Sequence, residues 1–201
     1  MDRELSKVKL LKKNKFLNFY KAKYVENNKY RNYWFASRNA PDNLPMITGN
    51  INASAIEAFT YYKDPKDKKY YLVFIYEFRS AFNKYMLSFP AGLIEPNEDI
   101  KSAITREVSE EIGGKVKSID ILNNYPSPTS AGLSDEANVY AFVELEPGLH
   151  EQNLDSDEDI EVKVVPLDRL DITINIYAGS ICATSLLGAK LLQAKLSDAK
   201  N

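Results

Sequence analysis

The stretch SFPAGLIEPNEDIKSAITREVSEEIGG, residues 88–114, decides the fold of this chain. Its second half places apolar residues at every fourth position, which is the spacing of one buried face of an α-helix: Ile100, Ile104, Val108 and Ile112. The acidic pair Glu98 and Asp99 suits the beginning of a helix, and the glycine pair 113–114 suits its end. The stretch therefore predicts a loop followed by a helix that ends at about residue 112.

Three glutamates crowd together near the end of this helix. Glu107 and Glu111 fall on or beside the apolar face, whereas Arg106 lies on another side, where it can pair with Glu110. An exposed, charge-rich helix is the simpler interpretation, but two like charges four residues apart on an apolar face destabilise a helix unless a cation compensates them. Because oxygen ligands dominate the pattern, it favours magnesium, with manganese as the alternative.

Composition narrows the classes of function. The 26 basic and 28 acidic residues are spread along 201 positions, which argues against a nucleic-acid or membrane partner. A single Cys182 excludes an internal disulfide, and His150 as the only histidine leaves no ligand set for structural zinc. No apolar run has the length of a signal peptide or a membrane span. We therefore expect a cytoplasmic protein in which His150 is a loop residue and Cys182 belongs to a helix core.

Strand patterns flank the central helix on both sides. Residues 15–25 and 30–37 are β-rich and separated by a polar break, which predicts a hairpin. Further runs predict strands and a C-terminal helix at these positions: strands at 53–62, 70–79, 115–122, 138–145 and 161–167, and a helix at 176–199. We expect a β-rich N-terminal segment at residues 1–45 and a main domain at residues 46–201. The class is α+β, with a mixed or mainly antiparallel sheet.

The central stretch resembles the Nudix box. From Gly92 it runs through five residues and Glu98, then seven residues and this sequence: Arg106, Glu107, Val108, Ser109, Glu110, Glu111, Ile112 and Gly113. One departure is Gly114, where the box usually has an apolar residue. The resemblance implies the Nudix fold, an α/β/α sandwich around a mixed sheet, in which the box forms a loop, a helix and a second loop.

The resemblance also implies the metal ligands. Glu107 and Glu111 look like the principal ligands and belong to the catalytic centre, and Glu110 looks like a further ligand, direct or through water. The carbonyl of Ala91 resembles an additional oxygen donor. Two other positions resemble those that hold and support the box glutamates: Arg106 and Glu98.

The sequence on both sides of the box resembles the ADP-ribose pyrophosphatase subgroup of the family. Residues 75–96 show an arginine on a strand and then Pro-Ala-Gly-Leu-Ile, and residues 125–142 are similar to the subgroup's Ser-Pro-Gly and Ser/Thr-Asp-Glu segment. Residues 129–131 lengthen the second segment. Ser88 and Glu77 stand where the subgroup often has glutamate and glutamine, so we expect changes in recognition of the sugar or ribose.

Candidate substrate-binding residues follow from this resemblance and from the charge of a diphosphate. Arg79, on the strand that leads to the box, is a candidate phosphate ligand, and Arg38 is a second one in the N-terminal segment. For each arginine a surface ion pair is the alternative. Trp34, the only tryptophan, is a candidate for stacking on the nucleobase, although a place in the sheet core is slightly favoured.

The acidic segment 155–159 carries the candidate general base. Glu158 matches the position of the subgroup's mobile catalytic glutamate, and Asp155 and Asp157 are its rivals. Glu136 matches a second acidic position that contacts the metal or orders the site. Simple solvation of an acidic loop is the alternative to these roles.

Together these features predict a magnesium-dependent pyrophosphohydrolase that converts ADP-ribose to AMP and ribose 5-phosphate. Other nucleotide sugars are the alternative substrates. An alternative of another class is a sensor that binds ADP-ribose without cleaving it, which the complete set of charged box residues disfavours. The resemblance also implies a homodimer in which the N-terminal strands reach the partner.

Overall fold

The computed structural model of the chain describes residues 3–154, 156 and 158–198. The chain divides into two compact units. The first unit comprises Met1–Ser54 and Tyr125–Asn138, and the second comprises Ala55–Asn124 and Val139–Asn201. The whole box, residues 92–114, therefore lies in the second unit.

A three-stranded antiparallel sheet forms the body of the first unit. Its strands are neighbours in chain order: β1 Arg3–Lys12, β2 Asn18–Glu26 and β3 Lys29–Ser37. Asn27 and Asn28 join β2 to β3, and both have positive φ angles (50° and 56°), as a two-residue hairpin loop requires. The predicted hairpin is confirmed. The sequence pattern does not predict β1, because lysines interrupt its apolar residues.

One face of this small sheet is buried. Tyr20 and Phe35 stack with ring centroids 5.3 Å apart, and Ala22 and Leu44 complete the cluster. The opposite face carries the side chains that alternate with these along each strand. Burial of one face and exposure of the other is the usual arrangement of an antiparallel sheet.

A larger mixed sheet is built from the strands that follow. They are β4 Ala55–Lys63, β5 Tyr70–Arg79, β6 Lys84–Ser88, β7 Ala91–Leu93, β8 Val116–Ile121, β9 Ser127–Pro128, β10 Ala137–Leu145 and β11 Ile160–Pro166. The central order is β11-β5-β4-β10-β8, with β6 paired to β5, β7 to β4, and β9 to the first two residues of β10. The five central strands confirm the five predicted ones. The strands β6, β7 and β9 are two to five residues long, too short for a readable pattern.

The described residues include four α-helices: α1 Pro45–Thr48, α2 Ile100–Ile112, α3 Leu170–Ile176 and α4 Ala183–Asp198. The predicted C-terminal helix begins at Ala183 rather than at residue 176, because Gly179 adopts a left-handed φ of 74° in the preceding turn. Cys182 precedes α4 and is half-buried, and its N–H donates to the carbonyl of Leu87 at 2.9 Å. Its assignment to a helix core is therefore wrong.

Aromatic rings fill the core of the second unit. The rings of Phe74 and Phe89 stack with centroids 4.2 Å apart, and Phe59 lies against Phe89 at 5.3 Å. Gly188 of α4 approaches Phe59 so closely that a Cβ would overlap its ring. Helix α4 thus packs directly on this aromatic cluster. Within the described ranges, no helix combines the length and the apolar character that crossing a membrane would need.

Candidate active site

Helix α2 begins and ends where the sequence predicts. The Asp99 carboxylate caps it by accepting hydrogen bonds from the N–H groups of Lys101 and Ser102, at 3.0 and 3.2 Å. At the other end Gly113 adopts a left-handed φ of 58°, and its N–H bonds to the carbonyl of Ser109 at 3.0 Å. These two caps fix the register in which the helix presents its glutamates.

Two of the box glutamates are part of the buried face of α2. Glu107 is 8% exposed and Glu111 is 4% exposed, beside the fully buried side chains of Ile104, Val108 and Ile112. Carboxylates are seldom buried unless they are paired or bind a metal ion. The structure therefore confirms that these carboxylates interrupt the apolar face and excludes the interpretation of α2 as a solvated, charge-rich helix.

Strand β7 passes directly over these carboxylates. A Cβ at Gly92 would overlap the carboxylate of Glu107, so any other residue here would require that carboxylate to move. The N–H of the preceding residue, Ala91, donates to Oε2 of Glu111 at 3.0 Å. Backbone and carboxylates are thus in contact at this point, where the Ala91 carbonyl is the predicted oxygen donor.

Arg106 organises the glutamates through five hydrogen bonds. Its Nε and Nη2 donate to the two carboxylate oxygens of Glu98, both at 2.9 Å, and Nη2 also donates to the carbonyl of Leu93 at 3.0 Å. Nη1 donates to Glu107 at 2.7 Å and to Glu110 at 3.1 Å. The pairing with Glu110 is confirmed. The prediction that Arg106 lies on another side of the helix from Glu107 is wrong, because its long side chain reaches across the helix surface.

Burial and like charge shift the protonation of the two buried carboxyls. Burial, together with the neighbouring charge of Glu107, raises the pKa of Glu111 to about 9, although the hydrogen bond from Ala91 opposes this shift. Burial also raises the pKa of Glu107, and the hydrogen bond from Arg106 opposes that shift. A cation beside both groups would stabilise their charged forms and release the proton that Glu111 holds at neutral pH.

Two further acidic residues add negative charge to this cluster. Glu158 interacts electrostatically with Glu107, with Glu111 and with Glu77, and raises the pKa of each. Its predicted rivals, Asp155 and Asp157, lie outside the described residues. Nη2 of Arg79 forms an ion pair with the carboxylate of Glu77 at 2.7 Å. Arg79, the predicted phosphate ligand, therefore forms the ion pair that was the alternative to that role.

The loop that follows strand β10 closes the end of α2. The amide nitrogen of Gln152 donates to the carbonyls of Glu111 at 2.6 Å and of Ile160 at 3.2 Å, so one side chain joins the helix to both ends of the acidic loop. The N–H of His150 donates to the carbonyl of Gly113 at 2.8 Å. His150 is exposed, which confirms it as a loop residue.

Three of the predicted site residues lie in the first unit. Trp34 on β3 is 49% exposed, with Lys21 Nζ 5.2 Å from its ring centroid, so its placement in the sheet core is wrong. Nε of Arg38 approaches Oε2 of Glu136 at 3.4 Å. The structure thus brings Arg38 and Glu136 together, and their roles toward phosphate and metal stay predictions.

A buried carboxylate that the sequence analysis missed lies on β4. Glu57 is 5% exposed, and its Oε1 accepts from the Ser185 hydroxyl of α4 at 2.5 Å. The same Ser185 oxygen accepts from the N–H of Phe89 at 3.0 Å, and Glu57 pairs in register with Ala91. Burial raises the pKa of Glu57, and the hydrogen bond from Ser185 opposes the shift. The sequence signal that could have identified Glu57 is a single acidic residue inside the apolar run 55–59.

The donor set fits a hard divalent cation. Glu107 and Glu111 offer buried carboxylate oxygens that repel one another, and oxygen is the ligand that magnesium and manganese prefer. Arg106 forms ion pairs with Glu107 and Glu110. Among the described residues, no group of three acidic, imidazole or thiol side chains is arranged to hold a metal ion. Binding would therefore require these carboxylates to turn toward a shared ion.

The loop, capped helix and buried glutamates define a Nudix-type site, and the comparisons with known proteins agree. Residues 58–181, more than half of the chain, match the NUDIX domain family, and the chain belongs to that family. It is also similar to a solved structure described as an ADP compounds hydrolase, with a TM-score of 0.73 and 16% identity, over 99% of this chain and 96% of the other. This likeness confirms the predicted fold.

Two relatives are similar in sequence. The chain is 31% identical over 149 residues to "Putative nudix hydrolase 2" of Caenorhabditis elegans. The aligned region covers 70% of this chain and 65% of that protein. It is 30% identical over 98 residues to an ADP-ribose pyrophosphatase of Bacillus subtilis. That aligned region covers 48% of this chain and 52% of the relative. The matches thus span between half and two thirds of the length of these relatives.

Proposed function

We propose that this protein is a magnesium-dependent pyrophosphohydrolase that cleaves ADP-ribose into AMP and ribose 5-phosphate. The observation that carries the proposal is the burial of Glu107 and Glu111 beside the backbone of Ala91 and Gly92. Two buried, mutually repelling carboxylates are costly unless a cation offsets their charge. The similarity to an ADP-ribose pyrophosphatase supports the choice of substrate.

The box residues would hold the metal. Glu107, Glu111 and the Ala91 carbonyl are the proposed principal donors, and Glu110 is the proposed further ligand. When bound, magnesium supplies electrostatic stabilisation of the negative charge on the diphosphate oxygens. Arg106 restrains Glu107 and Glu110 through its hydrogen bonds, so the carboxylates start from a limited set of orientations.

Glu158 is the proposed general base. Its charge already acts on Glu107 and Glu111, which places it in the same electrostatic environment as the proposed ligands. A carboxylate in that place can accept a proton from the attacking water. Arg79 is the proposed phosphate ligand, and it would exchange its ion pair with Glu77 for a bond to the diphosphate.

Other nucleotide sugars are the second candidate substrates, and Ser88 favours them. This residue is 5% exposed, and its hydroxyl has no hydrogen-bond partner among the described residues. It stands where the subgroup often has glutamate, so a group that could contact the sugar is shorter here. A binding protein without hydrolysis is disfavoured, because it would not need the buried pair of Glu107 and Glu111.

A substrate panel tests the proposal. ADP-ribose, several nucleotide sugars and a dinucleoside polyphosphate are incubated with and without magnesium, and the products are separated by chromatography. We expect AMP from ADP-ribose only with magnesium, and a loss of about 10²–10⁴ in kcat for Glu158→Gln. The matched control is Glu151→Gln, an exposed glutamate of the same loop, which we expect to be unaffected. Absence of turnover on the whole panel would contradict hydrolysis.

A homodimer is also proposed, with the N-terminal strands at the contact, as the family resemblance implies. Light scattering at the concentration of the activity assay tests this. We expect about twice the mass of one 22.8 kDa chain. A fully active species with the mass of a single chain would contradict it.

A further inference from the structure

The loop that follows strand β10 supplies partners for the carbonyl groups at the end of helix α2. The last carbonyls of a helix have no partner within the helix itself. Here the N–H of Asn153 donates to the carbonyl of Glu110 at 2.9 Å, and the N–H of His150 donates to that of Gly113 at 2.8 Å. The carbonyl of Glu111 accepts from the side chain of Gln152 at 2.6 Å. The loop is therefore bound to the end of the box helix at three points.

Gln152 uses its side-chain amide for two bonds. Besides the bond to Glu111, its Nε2 donates to the carbonyl of Ile160 at 3.2 Å. Both partners are carbonyl oxygens, which only accept hydrogen bonds, so the amide must present its NH2 group to them. Ile160 is the first residue of β11, and it pairs with Glu77 of β5. One side chain thus ties the end of the box helix to the beginning of β11. We call these two bonds the Gln152 brace.

The backbone beside the Gln152 brace is closely packed. Gly113 has a φ of 58°, and a Cβ there would lie 2.1 Å from the carbonyl oxygen of His150. Gln152 itself is half-buried. Ordering a glutamine side chain costs conformational entropy, which two hydrogen bonds roughly offset. The brace therefore fixes the relative position of its two ends more than it adds to the stability of the fold.

Each end of the brace adjoins a group that the proposed reaction uses. Glu111, a proposed metal ligand, belongs to one end, and Glu158, the proposed base, stands two residues before the other end at Ile160. A general base must lie within hydrogen-bond reach of the water that it activates. A shift of about 1 Å in such a group can reduce the rate about 100-fold. The distance between these two backbone segments is thus a quantity to which the reaction is sensitive.

We propose that Gln152 is a positioning residue that holds Glu158 in place beside the metal ligands of α2. The inference rests on the proposed hydrolysis and on Glu158 as its base. Gln152 is assigned no contact with substrate or metal, and it acts through the backbone on either side. Its removal should therefore slow the chemical step and leave substrate binding nearly unchanged.

A double-mutant cycle tests whether Gln152 acts through Glu158. Gln152→Met keeps the length of the side chain and removes both donors, and we expect kcat for ADP-ribose to fall about 10- to 100-fold, with KM changed by less than about threefold. Glu158→Gln should lower kcat by about 10²–10⁴. The double variant should equal Glu158→Gln within about twofold, because no base is left to position. A merely structural role would instead make the two losses multiply.

The matched control is Asn153→Ala. Asn153 is the exposed neighbour of Gln152, and its bond to α2 comes from its backbone N–H, which the substitution retains. We expect kcat and KM to be unchanged in this variant. Circular dichroism checks that every variant is folded.

Hydrogen–deuterium exchange provides a readout that does not depend on activity. The N–H groups of His150 and Asn153 are bonded to α2, so the segment 149–154 should exchange at least about threefold faster in Gln152→Met than in the unaltered chain or in Asn153→Ala. Unchanged exchange would overturn the brace, whether or not the chain hydrolyses ADP-ribose.

Two kinetic results would also overturn the positioning role. One is an unchanged kcat in Gln152→Met, and the other is multiplied losses in the double variant. Absence of turnover by the unaltered chain would instead overturn the proposed hydrolysis, and with it the catalytic role of the brace. The exchange measurement separates that failure from failure of the brace itself.

Discussion

The box helix and the exposed face of the N-terminal sheet both crowd like charges together, but they differ in burial. Glu107 and Glu111 are 8% and 4% exposed, and Arg106 is hydrogen-bonded to the first of them. Lys9 and Lys21 lie opposite each other on the outside of a sheet. The same kind of repulsion is thus placed once inside the protein and once at its surface.

The difference shows that burial makes the repulsion between like charges much more costly. Water and salt screen the lysines on the outer face of the N-terminal sheet, so their repulsion is small. Around Glu111, desolvation adds to the repulsion and raises the pKa to about 9. The buried pair is therefore destabilising unless its charge is offset, whereas the opposed lysines at the surface are tolerated without a partner.

The largest effect is expected where the buried pair is broken. Glu111→Gln removes a proposed metal ligand, and we expect hydrolysis of ADP-ribose to fall at least about 10³-fold at saturating magnesium. The rate of product formation under single-turnover conditions measures this effect on the chemical step directly. Activity within tenfold of the unaltered chain would show that Glu111 does not hold the metal.

A substitution at Gly92 tests the close approach of β7 to α2. Gly92→Ala places a methyl group on the Glu107 carboxylate, so we expect about 1–3 kcal/mol loss in the free energy of unfolding and loss of most activity. Urea denaturation measures the stability. The control is Gly132→Ala, where no atom lies within 4 Å of the added carbon, and both quantities should be preserved there. Equal behaviour of the two variants would refute the contact.

The stability of the metal-free protein should depend on pH through the buried pair. The folded-state pKa of Glu111, about 9, lies above its ordinary value of 4.5, so its contribution is fully present below pH 4.5 and is lost as the pH rises toward 9. We therefore expect the free energy of unfolding to decline across this range in the presence of EDTA. Glu111→Gln should show a shallower decline, and an unchanged slope would contradict the assignment.

The smallest effect is expected at the opposed lysines on the outer face of the N-terminal sheet. Lys21→Gln removes one of two opposed charges, and we expect a change within about 0.5 kcal/mol in the free energy of unfolding, reduced further by salt. Under the same metal-free conditions at pH 8, Glu111→Gln should stabilise the protein by more than about 1 kcal/mol. Parallel urea titrations compare the two variants. Similar gains for both would remove the distinction between buried and exposed repulsion.

The two regions also differ in how far the sequence reveals them. The three box glutamates fall within five consecutive residues, so the 3.6-residue period of a helix is enough to place Glu107 and Glu111 on the buried face. The four opposed lysines of the N-terminal sheet lie on two strands, at residues 7, 9, 21 and 23. Their proximity depends on pairing register, which a single sequence does not show.

Other differences between sequence and structure arise from side-chain reach and from tertiary contacts. Arg106 contacts Glu107 because a long side chain covers more of the helix surface than its backbone angle indicates. Glu57 is buried because Ser185, distant in sequence, supplies its hydrogen bond. Trp34 is exposed because the alternate residue Phe35 occupies the buried face of the sheet. Each of these three features depends on a contact with another residue, which the periodicity of the sequence does not show.

The most direct test of the account is the effect of magnesium on thermal unfolding of the unaltered chain, Glu111→Gln and the control Glu151→Gln. A cation that binds only the folded state raises Tm by mass action, by roughly 2–4 °C for each kcal/mol in a protein of this size. We predict a clear rise with 20 mM magnesium for the unaltered chain and the control, and none for Glu111→Gln. An equal rise in all three proteins would contradict metal binding by the buried glutamates.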